Sequence, residues 1–334
     1  MSLRVDLRAT LALMLALPLW AQEPAAWTDP SPHRVQFVTV DENVRLEVLD
    51  WGGSGRPLVF LPGLGNTAHV FDDFAPKFTA GYHVYGITRR GFGASSAPAA
   101  GYGADRLGDD VLAVLDSLKL DRPVLAGHSL GGEELSSIGS RHPERVAGLI
   151  YLDAGYSYAF DNGKGMTVEA QQELAKSPPP QGPPPNAGDR ASFTALLAWS
   201  ARTNGVRPPE AEFRQTLTTA ADGSVGMSRT PPKVPPAIMA GFKKFTDINR
   251  PVLAIYAIPK AAAPWLKDAD PPVRAAVQAF SGKIDALTEK QVKEFENGVP
   301  GAKVVRIANA NHYVFLSNEA EVLREMKAFL ATLK

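Results

Sequence analysis

Two kinds of hydrophobic pattern divide this chain. Over residues 35–40 (VQFVTV) and 44–49 (VRLEVL) apolar and polar side chains alternate, as they do in strands with one buried face. Residues 57–61 instead read as an unbroken apolar run, and that signature returns at 84–87, 124–126, 148–152, 252–255 and 304–307. Such runs suit parallel strands covered by helices on both faces. Between them apolar positions recur at helical spacing, as in Val111, Leu112, Leu115 and Leu118, and again through 134–141 and 320–333. Strand–helix alternation of this kind predicts an α/β fold built on a doubly wound, mostly parallel sheet.

The alternation breaks once, over residues 156–249, after the sixth strand. That stretch has no buried-strand run; it offers amphipathic pieces at 167–175, 190–202 and 208–220. The proline-rich segment SPPPQGPPP at 177–185 separates the first two and cannot donate ladder hydrogen bonds. The pattern predicts a helical lid inserted into a core formed by 35–155 and 250–334. Ahead of the core, residues 22–34 read as a linker. Residues 1–21 read as an export signal: Arg4 and Arg8 precede an apolar stretch at 11–19, and Ala21 marks the cleavage point. The apolar stretch is shorter than the roughly 20 residues that a bilayer span requires. The expectation is an exported protein, periplasmic or extracellular, with no membrane span after signal removal.

Composition narrows the chemistry. Lys plus Arg and Asp plus Glu both number 35, so no basic excess exists to neutralise a nucleic-acid backbone. The 334 residues include no Cys, which excludes disulfides, thiol catalysis, Cys-ligated metals and a lipid-anchored Cys. No His/Asp ligand cluster and no Gly-x-Gly-x-x-Gly after the first strand points to a metal or an organic cofactor, so none is expected.

Candidate chemistry centres on Gly127-His128-Ser129-Leu130-Gly131. A bare Gly-x-Ser-x-Gly match is weak evidence in a chain holding 29 glycines. Its setting makes it strong: it follows the apolar run 123–126 and opens a helical segment, the strand–turn–helix context of a nucleophile elbow. Glycines at both ends let backbone pack on backbone, which strains the serine and exposes its hydroxyl.

With Gly132 added, this segment resembles the elbow of the α/β-hydrolase superfamily. Leu61-Pro62-Gly63-Leu64-Gly65 and Arg89-Arg90-Gly91-Phe92-Gly93-Ala94-Ser95 extend the resemblance, with Thr88 where relatives usually carry Asp. The likeness runs over 35–333 apart from the lid. It implies that Ser129 is the nucleophile and that the main-chain N–H groups of Leu64 and Leu130 form the oxyanion hole. Among the six histidines, His312 follows the last buried strand, where the superfamily places its base. The acid is open: Asp153 ends the sixth strand, as in some branches, while Asp268 and Asp270 follow the seventh at a distance. Glu133 and Glu134 are expected to act as favourable charge in the first turn of a helix, with a role at the site as the alternative.

The function expected on this basis is that of a serine hydrolase, a carboxylesterase acting on small or moderately apolar esters. Aminopeptidase, amidase, lactonase or carbon–carbon hydrolase chemistry on the same triad is the alternative, as is a non-catalytic ligand-binding member of the fold. His69, Tyr156, Trp199 and Tyr313 are candidate pocket residues, and the only partner expected is a small-molecule substrate. Oligomeric state is not written in the sequence.

Overall fold

The computed structural model describes residues 27–333. The chain divides into two units, Met1–Pro30 and Ser31–Lys334. Of the first, residues 27–30 are described and carry no helix or strand; every element below belongs to the second. The export signal expected at 1–21 lies outside the described residues.

The second unit is organised around an eight-stranded sheet. In chain order its first six strands are β1 (Arg34–Asp41), β2 (Val44–Gly52), β3 (Pro57–Leu61), β4 (His83–Ile87), β5 (Val124–His128) and β6 (Gly148–Leu152). An insertion follows, holding helices α3 (Val168–Ala175), α4 (Phe193–Asn204) and α5 (Glu210–Thr216), the hairpin β7 (Leu217–Thr219) and β8 (Val225–Ser228), and helix α6 (Val234–Ala240). The sheet resumes with β9 (Val252–Ala257) and β10 (Lys303–Ile307). Helices α1 (Ala104–Ser117) and α2 (Gly131–Arg141) flank β5, while α7 (Pro271–Gly298), α8 (Val314–Ser317) and α9 (Glu319–Leu330) lie in the C-terminal part.

The spatial order is β1-β2-β4-β3-β5-β6-β9-β10. β1 and β2 pair antiparallel, as does β2 with β4; every other pairing in the sheet is parallel. This is the mostly parallel sheet that the unbroken apolar runs predict. Period-two alternation deals each central strand to two cores. Val59 and Leu61 of β3, Leu125 of β5, Tyr151 of β6 and Tyr256 of β9 join α1, α2 and the insertion. Phe60, Ala126, Leu152 and Ile255 face the other way, onto Phe71, Phe74, Phe315 and α9. The chain leaves β3 toward β4 and returns to lay β5 on its opposite side. The carboxyl ends of β3 and β5 therefore bracket the crevice where open α/β sheets bind ligands.

The insertion is helical over the three pieces the pattern predicts, with Thr167 and Ser192 capping α3 and α4. It differs from expectation in the hairpin that ends the third piece and in α6, whose Val234 and Ile238 are buried in the main core. A small cluster of Phe193, Leu196 and Val225 holds its outer part together. The long helix α7 was not predicted. Only Thr288, Gln291, Val292 and Phe295 are buried along its 28 residues, too short a stretch to write a clear apolar period. Among the described residues no helix is long and apolar enough to cross a membrane.

Candidate active site

The tight turn from β5 into α2 presents Ser129. Its φ is +49°, a left-handed conformation that a non-glycine residue adopts at a cost of about 1–3 kcal/mol. The turn is clamped by Ser129 N–H donating to Leu152 O at 3.2 Å and Gly132 N–H to Ser129 O at 2.9 Å. Gly127 is required here: a Cβ on it would lie 2.7 Å from the main chain of Gly131.

The loop after β3 closes on the elbow. A Cβ at Gly63 would stand 3.0 Å from both Ser129 Cβ and His128 Nδ1, so any larger residue would crowd the elbow. Arg89 holds the loop from beneath, donating to Pro62 O at 2.8 Å and Gly63 O at 3.3 Å. Its guanidinium is also paired with both oxygens of Glu134, each at 2.6 Å. Glu134 is thus no solvated helix-end charge but half of a buried ion pair that ties α2 to the loop. The main-chain N–H groups of Leu64 and Leu130 donate no hydrogen bond among the described residues.

His312, on the loop after β10, meets Asp153 at the tip of β6. The Nδ1 to Oδ2 distance is 2.6 Å. Asp153 is fully buried with φ +45°, and its Oδ1 accepts from the Tyr156 hydroxyl at 2.7 Å and Ala257 N–H at 3.0 Å. Burial alone would raise this carboxyl. The Lys260 ammonium, 3.5 Å from Oδ2, together with the His312 and Tyr156 hydrogen bonds, reverses that and holds it far below the usual carboxylate range. With Nδ1 committed to Asp153, the imidazole presents Nε2 as its second nitrogen. Asp268 and Asp270 lie ahead of α7 and have no bond to His312; the carboxylate that orients the imidazole is Asp153.

His128 supports the same loop, a role that sequence reasoning missed. Burial and the adjacent His312 hold it well below the ordinary imidazole value, so it is neutral, and its Nε2 donates to His312 O at 3.1 Å. Glu133 is completely buried and neither carboxylate oxygen has a partner. Burial and the neighbouring Glu134 push it up to about 9, so it is a neutral acid at pH 7 and not a first-turn charge.

Ser129 and His312 line one cavity of about 340 Å³. Tyr156 and Tyr158 form part of its wall, Met166 and Leu174 come from the insertion, and Phe280, Ile284 and Thr288 of α7 close it. Burial pushes the Tyr158 phenol far above its ordinary value, opposed by its hydrogen bond with Ser129. Of the four expected pocket residues only Tyr156 is here. His69 is buried outside this cavity, its Nδ1 3.1 Å from Asp72, which also accepts from Trp51 and binds His33. Trp199 and Tyr313 line a separate cavity of about 250 Å³ with Glu212. Glu212 of α5 accepts from Asn66 at 2.9 Å and from Thr67 Oγ1 at 2.5 Å, which fastens the insertion to the loop beside Ser129. No local pattern flags Glu212. Lys260 had one available signal: it sits just after β9, where the sequence lacks an expected acid.

Residues 58–325 match the model of the family described as the Alpha/beta hydrolase family. An AB hydrolase superfamily protein of Bacillus subtilis is 33% identical over 158 residues, 43% of this chain and 57% of that one. A 3-oxoadipate enol-lactonase of Acinetobacter baylyi is 30% identical over 136 residues, 40% of this chain and 49% of the enzyme. The chain therefore spans about half the length of these curated relatives. The crystal structure of E-2-(acetamidomethylene)succinate hydrolase superposes with a TM-score of 0.61 at 18% identity, over 90% of this chain and 100% of that one, a likeness of fold.

Proposed function

The chain belongs to the alpha/beta hydrolase family, and from that premise we propose that it is a serine hydrolase that cleaves carboxylic esters through an acyl-enzyme. One observation carries this reading: the 2.6 Å bond between a buried, ionised Asp153 and His312, in the cavity that the strained Ser129 enters.

Ser129 and His312 share one cavity, and the steps we propose for them are these. His312 Nε2 takes the proton of the Ser129 hydroxyl as Oγ attacks the ester carbonyl, and Asp153 stabilises the imidazolium that forms. The negative charge gathering on the carbonyl oxygen is received by the N–H groups of Leu64 and Leu130. Collapse breaks the bond to the alcohol oxygen, which leaves with the proton from His312. Water then attacks the acyl-serine, giving its proton to His312, and the acid departs as Ser129 recovers that proton.

Elbow serine separates this reading from superfamily branches that place Asp there. Aminopeptidase chemistry is disfavoured because no carboxylate lines the cavity among the described residues to hold a substrate amine. A lactone is an internal ester that the same steps open, a substrate class suggested by the lactonase relative. The insertion and α7 act as the lid that selects the substrate, and the basic and apolar pattern of residues 1–21 directs the protein out of the cytoplasm.

A panel of 4-nitrophenyl esters from acetate to decanoate, run beside 4-nitroanilides, tests the reading. Turnover of the esters, a pre-steady-state burst and a loss of at least about 10³-fold in kcat in Ser129→Ala are expected. Equal turnover by Ser129→Ala contradicts it.

A further inference from the structure

The cavity at Ser129 is apolar on most of its wall, yet it carries one permanent charge. Among the described lining residues that charge is Lys260, and none is acidic. Asp153 lies beneath and is fully buried.

Two roles are open to this ammonium: neutralising Asp153, or meeting an anion that enters the cavity. The first is met, since the ammonium helps hold Asp153 ionised, but it does not exhaust the donors of Lys260. Asp153 already accepts from His312, Tyr156 and Ala257, the full set of short bonds its oxygens make, while Lys260 stands back at 3.5 Å. An ammonium has three donors, so Lys260 retains capacity after that contact, and its side chain is about one-third exposed.

Its mount is rigid. The Lys260 main chain bridges to Ala310, and Ala261 N–H donates to Ala310 O at 2.9 Å, two residues from the candidate base. The ammonium rests over the Tyr156 ring, 5.3 Å from its centroid. Helix α7 contributes Phe280, Ile284 and Thr288 at one-turn intervals, and its Asp285 Oδ1 accepts from the Lys260 main-chain N–H at 3.4 Å. Thr288 is 1% exposed and its Oγ1 is buried without a hydrogen-bond partner, so this residue backs the wall and does not offer its hydroxyl to the cavity. On the insertion side Gln171 Oε1 accepts from Ser157, which leaves its amide nitrogen as a donor in the same wall.

A cationic end, a neutral amide donor, apolar flanks and no acid among the lining residues together describe a receptor for a carboxylate on an aliphatic chain. We propose that Lys260 and Gln171 form an anion subsite, so that the favoured substrate is an ester bearing a second, free carboxylate. The proposal rests on the hydrolase reading above and names its substrate class.

Two matched ester pairs test it: mono-4-nitrophenyl adipate against 4-nitrophenyl hexanoate, and 6-butyryloxyhexanoic acid against hexyl butyrate. The free carboxylate lies on the acyl side in the first pair and on the alcohol side in the second. For at least one pair, kcat/KM of the wild-type enzyme favours the anionic ester by at least tenfold, mainly through KM. Lys260→Met brings that ratio to near one, and Lys260→Arg keeps most of it. Gln171→Met, which keeps the length of the side chain and removes the amide donor, lowers the ratio several-fold. Ratios near one for both pairs in the wild type overturn the subsite. So does a ratio that survives Lys260→Met while both esters slow equally, because Lys260 then serves Asp153 alone. Fluorophosphonate labelling of Ser129 in the same preparation separates the two failures: a labelled enzyme without preference loses only the subsite, and an unlabelled one loses the hydrolase reading with it.

Discussion

Asp153 concentrates the energetic tension of the site. Taking a carboxylate fully out of water is costly unless hydrogen bonds and opposite charge compensate, and here three donors and an ammonium do so. Replacing it with Asn preserves size and two of the acceptor bonds but removes the charge that stabilises an imidazolium. Asp153→Asn therefore lowers kcat by about 10³–10⁴-fold with KM and the circular-dichroism melt little changed. Near-normal turnover in that variant would move the acid role to Asp268 or Asp270. Glu133 shows the opposite solution, neutralisation by a proton. Its folded value of about 9 lies above that of the unfolded chain, near 4.5, so the native state binds the extra proton between them. Stability from this group is complete below pH 4.5 and is lost as pH rises toward 9. Urea melts of wild type and Glu133→Gln at pH 6, 7.5 and 9 report this directly. The wild type loses stability relative to the variant by up to about 1.4 kcal/mol per pH unit across that window. Parallel curves would show that Glu133 is not buried as a neutral acid.

At the level of elements, the site is an agreement among four loop ends. The turn after β5 presents Ser129, the loop after β3 lies against it, the tip of β6 supplies Asp153, and the loop after β10 supplies His312. The elbow and the His312 loop are legible because their signals are local: Gly-x-Ser-x-Gly between an apolar run and a helix, and a lone histidine after the last strand. The acid was legible only as a choice, since Asp153, Asp268 and Asp270 all follow strands. The 2.6 Å contact that decides between them joins residues 159 apart. The pocket residues were least legible. Aromatic character makes Trp199 and Tyr313 candidates, but Trp199 sits on the insertion, whose fold-back decides its place, and Tyr313, on the loop after β10, lines the second cavity with it. The Glu212 contact with Thr67 governs that fold-back. Burial raises this carboxyl to about 7, and the Thr67 and Asn66 donors oppose the rise. Glu212→Ala leaves the buried Thr67 N–H and hydroxyl without their acceptor, a loss of about 2–3 kcal/mol in urea unfolding. It should also speed proteolysis within 156–249 and lower kcat/KM. Unchanged proteolysis would mean that the insertion is held down without this latch.

Across the whole molecule, the sheet was written in the sequence in a way that the cavity was not. Every strand of the eight-stranded sheet corresponds to an apolar run or an alternating segment, because strand burial is written locally, as alternation where one face is covered and as an unbroken run where both are. The cavity instead depends on α7, whose sequence hides it: most of its surface is solvated and it buries few apolar side chains. That helix contributes Phe280, Ile284 and Thr288, so the cavity wall is formed in part by the segment with the weakest pattern. The catalytic assignment is better placed, because it rests on a fold-wide convergence of three strand ends on one serine. The most direct test treats the folded protein with a fluorophosphonate and reads intact mass and modified peptide. A single adduct on Ser129 is predicted, absent in Ser129→Ala and slowed at least about 10³-fold in His312→Ala. No adduct on folded protein, or an adduct on another serine, would contradict the assignment of Ser129, His312 and Asp153 as one catalytic unit.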